Sequence, residues 1–142
     1  MNGFLVDTNV ISEILRRAPD ANVATWAQRQ AKPRLFLSVV SMGELRKGVT
    51  ILPPSARRAE LEKSIEAQVP VWFHSRILSV TQAIAERWGE LDGKRHLAGR
   101  PLSAPDGMIA ATALQHDLTL VTRNVKDFAG LGIALLNPWL GP

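Results

Sequence analysis

Short apolar runs alternate with longer stretches of helical spacing along the chain, a pattern that folds as strand–helix–strand units around a largely parallel sheet. Phe4–Val6 reads as the first strand and ends at Asp7. Helices are expected at Val10–Arg17 and Asn22–Gln30, parted by Pro19, because proline interrupts a helix interior. Leu35–Val39 is the second strand, Ser41–Val49 the next helix, and Pro53-Pro54 forces a turn. Over Ser55–Gln68, Leu61 and Ile65, with Val69 just beyond, recur on one helical face. Ile77–Val80 is the third strand, and Thr81 caps a helix running through Ile84, Trp88 and Leu91. Gly93–Pro101 reads as a basic loop. Ser103 opens a helix whose middle, Met108–Leu114, is apolar nearly all round and rich in alanine. Such a helix belongs in the interior, and its small side chains let it approach the sheet closely. Leu118–Thr122 and Ile133–Leu136 are the fourth and fifth strands.

Composition narrows the chemistry. The 142 residues fit one domain with a core of its own, 1–142. With no cysteine, disulfides, zinc thiolates and thiol catalysis are excluded, and a reducing compartment such as the cytoplasm suits the chain. No apolar run approaches the roughly 20 residues that span a bilayer, so no membrane association is expected. Seventeen Lys and Arg against thirteen Asp and Glu give a net charge of +4, which favours encounter with a polyanion.

The few acidic residues fall at telling points. In open α/β sheets the binding crevice lies beyond the carboxyl ends of the strands. Asp7 closes the first strand, Glu44 lies early in the helix after the second, Asp106 opens the apolar helix, and Asn124 and Asp127 follow the fourth strand. Each has an ordinary structural use too. Ser41-Met42-Gly43-Glu44 matches a capping box, Ser103-Ala104-Pro105-Asp106 nearly does, Asp7 can cap the following helix, and Asp127 suits a turn. Yet carboxylates about 5 Å apart repel by roughly 3 kcal/mol at an effective dielectric near 20. Several around one crevice therefore need a cation, raised pKa values or a basic partner. Oxygen-only ligation suits magnesium or manganese, and ions of that kind promote phosphodiester hydrolysis.

At these residues the sequence resembles the PIN-domain family, and within it the VapC/FitB-like toxins. The resemblance rests on Phe4-Leu5-Val6-Asp7-Thr8-Asn9-Val10-Ile11-Ser12-Glu13, on Leu37-Ser38 with Ser41-Met42-Gly43-Glu44-Leu45 and Gly48, and on Pro105-Asp106-Gly107-Met108-Ile109-Ala110-Ala111-Thr112-Ala113. Leu120-Val121-Thr122-Arg123-Asn124 with Asp127-Phe128, then Asn137-Pro138-Trp139, complete an ordered set spanning almost the whole chain. It implies a PIN-like three-layer α/β/α fold with a mainly parallel five-stranded sheet. It also implies a Mg2+-dependent endoribonuclease (Mn2+ as the alternative ion) acting on RNA, a homodimer, and a VapB/FitA-like antitoxin that occludes the site. By the same resemblance Asp7, Glu44 and Asp106 are the metal ligands and catalytic acids, with Asp127 a further contributor. Thr8, Asn9 and Thr122 orient them, Arg123 contacts phosphate, and Asn124 stands where some relatives carry an aspartate.

Other features carry less. His74, His96 and His116 share no ligand spacing, and Ser12, Ser38 and Ser41 lack a paired His and Asp. Trp26, Trp72, Trp88 and Trp139 read as core or dimer-interface anchors. Lys94-Arg95-His96 with Arg100 could steer a phosphate backbone or simply be solvated, as could Arg46 and Lys47. A haloacid-dehalogenase-type phosphatase needs an acid where this chain has Asn9, and a receiver domain needs an aspartate where it has Ser79-Val80-Thr81. The remaining rival is a PIN-like protein that binds RNA or a partner with weakened catalysis, a reading that Asn124 supports.

Overall fold

The computed structural model describes residues 2–142. In chain order the elements are β1 (Phe4–Val6), α1 (Thr8–Ile14), α2 (Ala21–Arg29), β2 (Leu35–Ser38), α3 (Val39–Thr50), α4 (Ala56–Lys63), α5 (Val69–Phe73), β3 (Ile77–Leu78), α6 (Gln82–Leu97), α7 (Ala104–Gln115), β4 (Thr119–Val121), α8 (Val125–Phe128) and β5 (Leu135–Leu136). The strands form one five-stranded sheet in the order β3-β2-β1-β4-β5, and every pairing is parallel. β1 is central, with Phe4 opposite both Leu35 and Thr119. The chain builds outward on one side through β2 and β3, then returns to the other through β4 and β5. The order therefore reverses at β1, the switch point where such sheets open a crevice.

Alternation along the strands divides the interior into two cores. Phe4, Val6, Leu37 and Val121 face one side, where they pack with Val10, Ile11, Val23, Leu45, Val49, Ile65, Val69 and Phe73. Leu5 and Leu120 face the other and meet Ile109, Ala110, Ala113, Leu118 and Phe128. Helices thus cover both faces, giving the expected three layers. Of the tryptophans, Trp26, Trp72 and Trp139 pack against the first core, and Trp26 meets Phe4 edge to face at 5.3 Å. The alanines of α7 are buried as anticipated: Ala110, Ala111 and Ala113 are at most 1% exposed.

Several boundaries move, for local reasons. The first helix begins at Thr8, directly after Asp7, and ends at Ile14. Ser38, not Ser41, caps α3 by accepting from the Val40 amide; the Val39-Val40 pair, read as strand end, is already helical. The capping box assigned to Ser41 and Glu44 does not form, because both lie inside the helix. The helix expected over Ser55–Gln68 is regular only to Lys63, and a π-helical stretch at Ser64–Gln68 joins it to α5. The basic loop expected at Gly93–Pro101 is mostly helix. α6 runs to Leu97, with Lys94, Arg95 and His96 in its last turn, where cations complement the helix dipole. It stops in a Schellman arrangement: the Gly99 amide donates to the His96 carbonyl (3.1 Å) and the Arg100 amide to the Arg95 carbonyl (2.9 Å). Gly99 takes the required left-handed conformation, φ +69°.

Candidate active site

The carboxyl end of β1 delivers Asp7 to the switch point. Asp7 is 4% exposed and caps α1, its Oδ1 accepting from the Thr8 amide at 2.8 Å. The capping use foreseen from the sequence and a place in the crevice therefore coexist. Its Oδ2 accepts from the Thr122 hydroxyl at 2.8 Å. That hydroxyl, fully buried at the end of β4, also accepts from the Asn124 amide (3.0 Å) and from Asn9 Nδ2 (3.3 Å). Asn9 Oδ1 accepts in turn from the Arg123 amide at 3.4 Å. Thr122 and Asn9 thus lock Asp7 to the segment after β4.

Glu44 reaches the same place from the second turn of α3. The Thr8 hydroxyl donates to its Oε1 at 2.6 Å and lies 2.9 Å from the buried Ser41 hydroxyl. Asp106 arrives from the first turn of α7, its amide donating to the Ser103 cap at 3.3 Å. Asp7, Thr8, Asn9, Glu44, Asp106, Arg123 and Asn124 all line one cleft of about 540 Å³. Asp127, exposed on the single turn α8, lines an adjoining hollow of about 330 Å³ with Asp106, Ser103, Arg95, Arg100 and Lys126. Asp106 belongs to both, so it stands between the cleft and Asp127.

The acids perturb one another. Burial pushes the Asp7 carboxyl up to about 6, against the hydrogen bonds from Thr122 and Thr8 that favour its anion, and the charges of Asp106 and Glu44 push the same way. The half-buried Asp106 is raised too, first by burial and then by Glu44 and Asp127, against its bond to Ser103. Raised carboxyls converging on a cleft mark a functional site more often than a structural ion network. Their oxygen donors fit a hard divalent cation. Among the described residues, no three acidic, histidine or cysteine side chains are gathered tightly enough to enclose an ion by themselves.

Four lining residues have no site role in the sequence reading: Glu13 and Arg16 are assigned none, Ser12 is set aside as a nucleophile, and Trp139 reads as a core or dimer-interface anchor. Glu13, 7% exposed, pairs with Arg16 at 3.3 Å and accepts from the Asp20 amide at 2.9 Å. Asn9, Glu13 and Arg16 recur at helical spacing, a signal that could have grouped them. Ser12 and Trp139 also line the cleft; the Arg123 guanidinium lies 5.2 Å above the Trp139 ring, which supports the cation at the cleft wall. None of His74, His96 and His116 lines the cleft.

The fold and this site define an open parallel α/β domain with an acidic, cation-suited cleft at its central switch point. The PIN domain family model matches residues 4–132. Toxin FitB of Neisseria gonorrhoeae is 36% identical over 136 residues, covering 96% of this chain and 98% of the relative. VapC ribonuclease Y4jK of Sinorhizobium fredii is 32% identical over 136 residues, covering 96% and 97%. The crystal structure of FitAcB from Neisseria gonorrhoeae superposes with a TM-score of 0.88 at 35% identity, covering 96% of this chain and 98% of that one. The chain belongs to the PIN-domain family, whose ribonucleases depend on divalent metal ions.

Proposed function

We propose that the chain is a magnesium-dependent endoribonuclease and the toxin of a toxin–antitoxin pair, with residues 1–142 as one PIN domain acting in the cytoplasm. The observation that carries this reading is the meeting of Asp7, Glu44 and Asp106, from three separate elements, on one cleft. The toxin role rests on kinship with Toxin FitB and the VapC ribonuclease, and with it come a VapB/FitA-like antitoxin and a homodimeric state.

In this reading Asp7, Glu44 and Asp106 hold the magnesium ion, with manganese the alternative. A bound ion of this class lowers the pKa of a water and neutralises charge on a phosphoryl group. The chain's own residues do the rest. Thr122 and the Thr8 amide fix the Asp7 carboxylate, the Thr8 hydroxyl fixes Glu44, and Asn9 steadies Thr122. Holding ligands in one rotamer is worth about 10- to 100-fold in metal affinity or activity in comparable sites. Arg123, propped on Trp139, meets an RNA phosphate at the cleft mouth. Asn124 offers a carbonyl oxygen without charge, and Asp127 adds negative charge from the neighbouring hollow.

Incubating the purified chain with RNA in magnesium, and again in EDTA, tests the proposal. Cleavage should require the metal and fall at least about 100-fold in Asp7→Asn, a loss of the size expected when a ligand that orients the reaction is removed. Asn124, neutral on the cleft wall, favours a second reading as an RNA-binding protein with weakened catalysis. Binding without cleavage at any magnesium or manganese concentration would select it.

A further inference from the structure

The side chain of Arg95 is spent on backbone. From the last turn of α6 its Nη2 donates to the carbonyls of Asp127 (3.1 Å) and Ala129 (2.9 Å), while Nη1 donates to the carbonyl of Arg100 (3.4 Å). The Arg95 carbonyl completes the connection by accepting from the Arg100 amide at 2.9 Å. One residue therefore joins three pieces of chain: the end of α6, the connection that leads through the Ser103 cap to Asp106, and the turn that carries Asp127.

The start of the Asp127 turn is tied down by the Asn124 amide, which donates to the Thr122 hydroxyl at 3.0 Å, and its far end is held differently. α8 is a single turn, Val125–Phe128, far below the length at which a helix supports itself. Its interior anchor is Phe128, 1% exposed, which fixes the turn on the apolar side. Asn124, its N-cap residue, makes no side-chain capping bond. The carbonyls at its far end are the ones Arg95 takes. A planar guanidinium with donors in a rigid fork can serve three carbonyls at once, and a lysine ammonium on a flexible stem cannot hold the same geometry.

We infer that Arg95 is a positioning residue of the nuclease site, a clasp that holds the Asp127 turn against the Asp106 strap and so fixes how the Asp127 carboxylate stands to Asp106 in the hollow beside the cleft. This rests on the proposed function for its catalytic consequence, though the clasp itself is a matter of geometry. In the sequence Arg95 stands open between steering phosphate and being simply solvated; here both of its terminal nitrogens bond carbonyls, and a charge contact with RNA is the competing role.

The experiment compares wild type, Arg95→Ala, Arg95→Lys, Asp127→Asn and the double variant Arg95→Ala/Asp127→Asn. It measures kcat and KM for RNA in magnesium, and amide hydrogen exchange at Asp127 and Ala129 in each. A clasp predicts that Arg95→Ala and Arg95→Lys both lower kcat about tenfold with KM within about twofold. It also predicts that the double variant is no worse than the worse single, because both changes act through one group, and that both amides exchange at least about tenfold faster in the two Arg95 variants. Restoration of kcat by lysine, or a change confined to KM, would overturn the proposal and make Arg95 a contact for RNA charge. If wild type cleaves no RNA with any divalent ion, the proposed function fails by itself, and hydrogen exchange then decides the clasp: faster exchange in both Arg95 variants upholds it, unchanged exchange refutes it.

Discussion

A carboxyl group drawn out of water holds its proton more tightly, and Asp7 carries that preference into the stability of the whole chain. Its carboxyl titrates near 6 when folded, against an ordinary value of 3.8. Between those values the folded chain binds more protons than the unfolded one, so stability falls as pH rises through the window from about 4 to about 6, by about 3 kcal/mol from this group. Above it the deficit is constant. In EDTA at pH 7.5, Asp7→Asn should therefore raise the urea midpoint, by about 1–3 kcal/mol of stability, and flatten the pH dependence between 4 and 6. Magnesium, proposed to bind the ionised wild type, should narrow the gap. A variant less stable than wild type under EDTA at pH 7.5 would contradict the assignment. At this scale the sequence could be read for which residues matter, and much less for how they are held. Asp7 at a strand end is visible in the sequence, whereas its bond from Thr122 spans 115 positions and depends on β4 lying beside β1. Glu44 was open to misreading for the same reason: Ser41-Met42-Gly43-Glu44 satisfies a local pattern, but the partner it finds is Thr8, 36 residues away.

Elements whose residues bury a continuous apolar surface were legible, and elements that end by conformation were less so. β1 and α7 stand where their apolar content puts them. The end of α6 does not, since Gly93 looks like a stop while the chain turns at Gly99, where the backbone needs a positive φ. The helix–helix seam between α6 and α7 was likewise hidden. A Cβ on Gly107 would sit 2.5 Å from Trp88 Cδ1 and 2.7 Å from Nε1, so this glycine is there to let the indole lie on the helix backbone. Gly107→Ala should destabilise the protein by roughly 1–3 kcal/mol through overpacking. Gly89→Ala, in α6 with nothing within 4 Å of the added carbon, should stabilise it by up to about 1 kcal/mol through helix propensity. Urea unfolding of both variants checks the pair, and equal effects would show that the indole yields.

At the scale of the molecule, four of the functional positions come from four different connections of one parallel sheet, and that convergence gives the chain its proposed cellular effect. Induced expression in a bacterium without an antitoxin should arrest growth, measured as colony formation, and Asp106→Asn should restore it at least about 100-fold, in line with loss of a metal-orienting carboxylate. Equal harmlessness of both would remove the toxin role. The layered α/β architecture was readable from the alternation of apolar runs because strand and helix periods differ so clearly. The order β3-β2-β1-β4-β5 was not, since nothing local in Leu118–Thr122 says that it will dock beside β1 rather than at an edge.

That docking has a bearing on how such a protein is made. β4 is the inner neighbour of β1, yet it leaves the ribosome after β2, β3 and the helices between them, and Thr122 and Asn124 follow it. A chain synthesised only as far as α3 therefore owns Asp7 and Glu44 without the Thr122 hydroxyl that holds Asp7. The cleft is therefore completed only after β4 has emerged and docked beside β1.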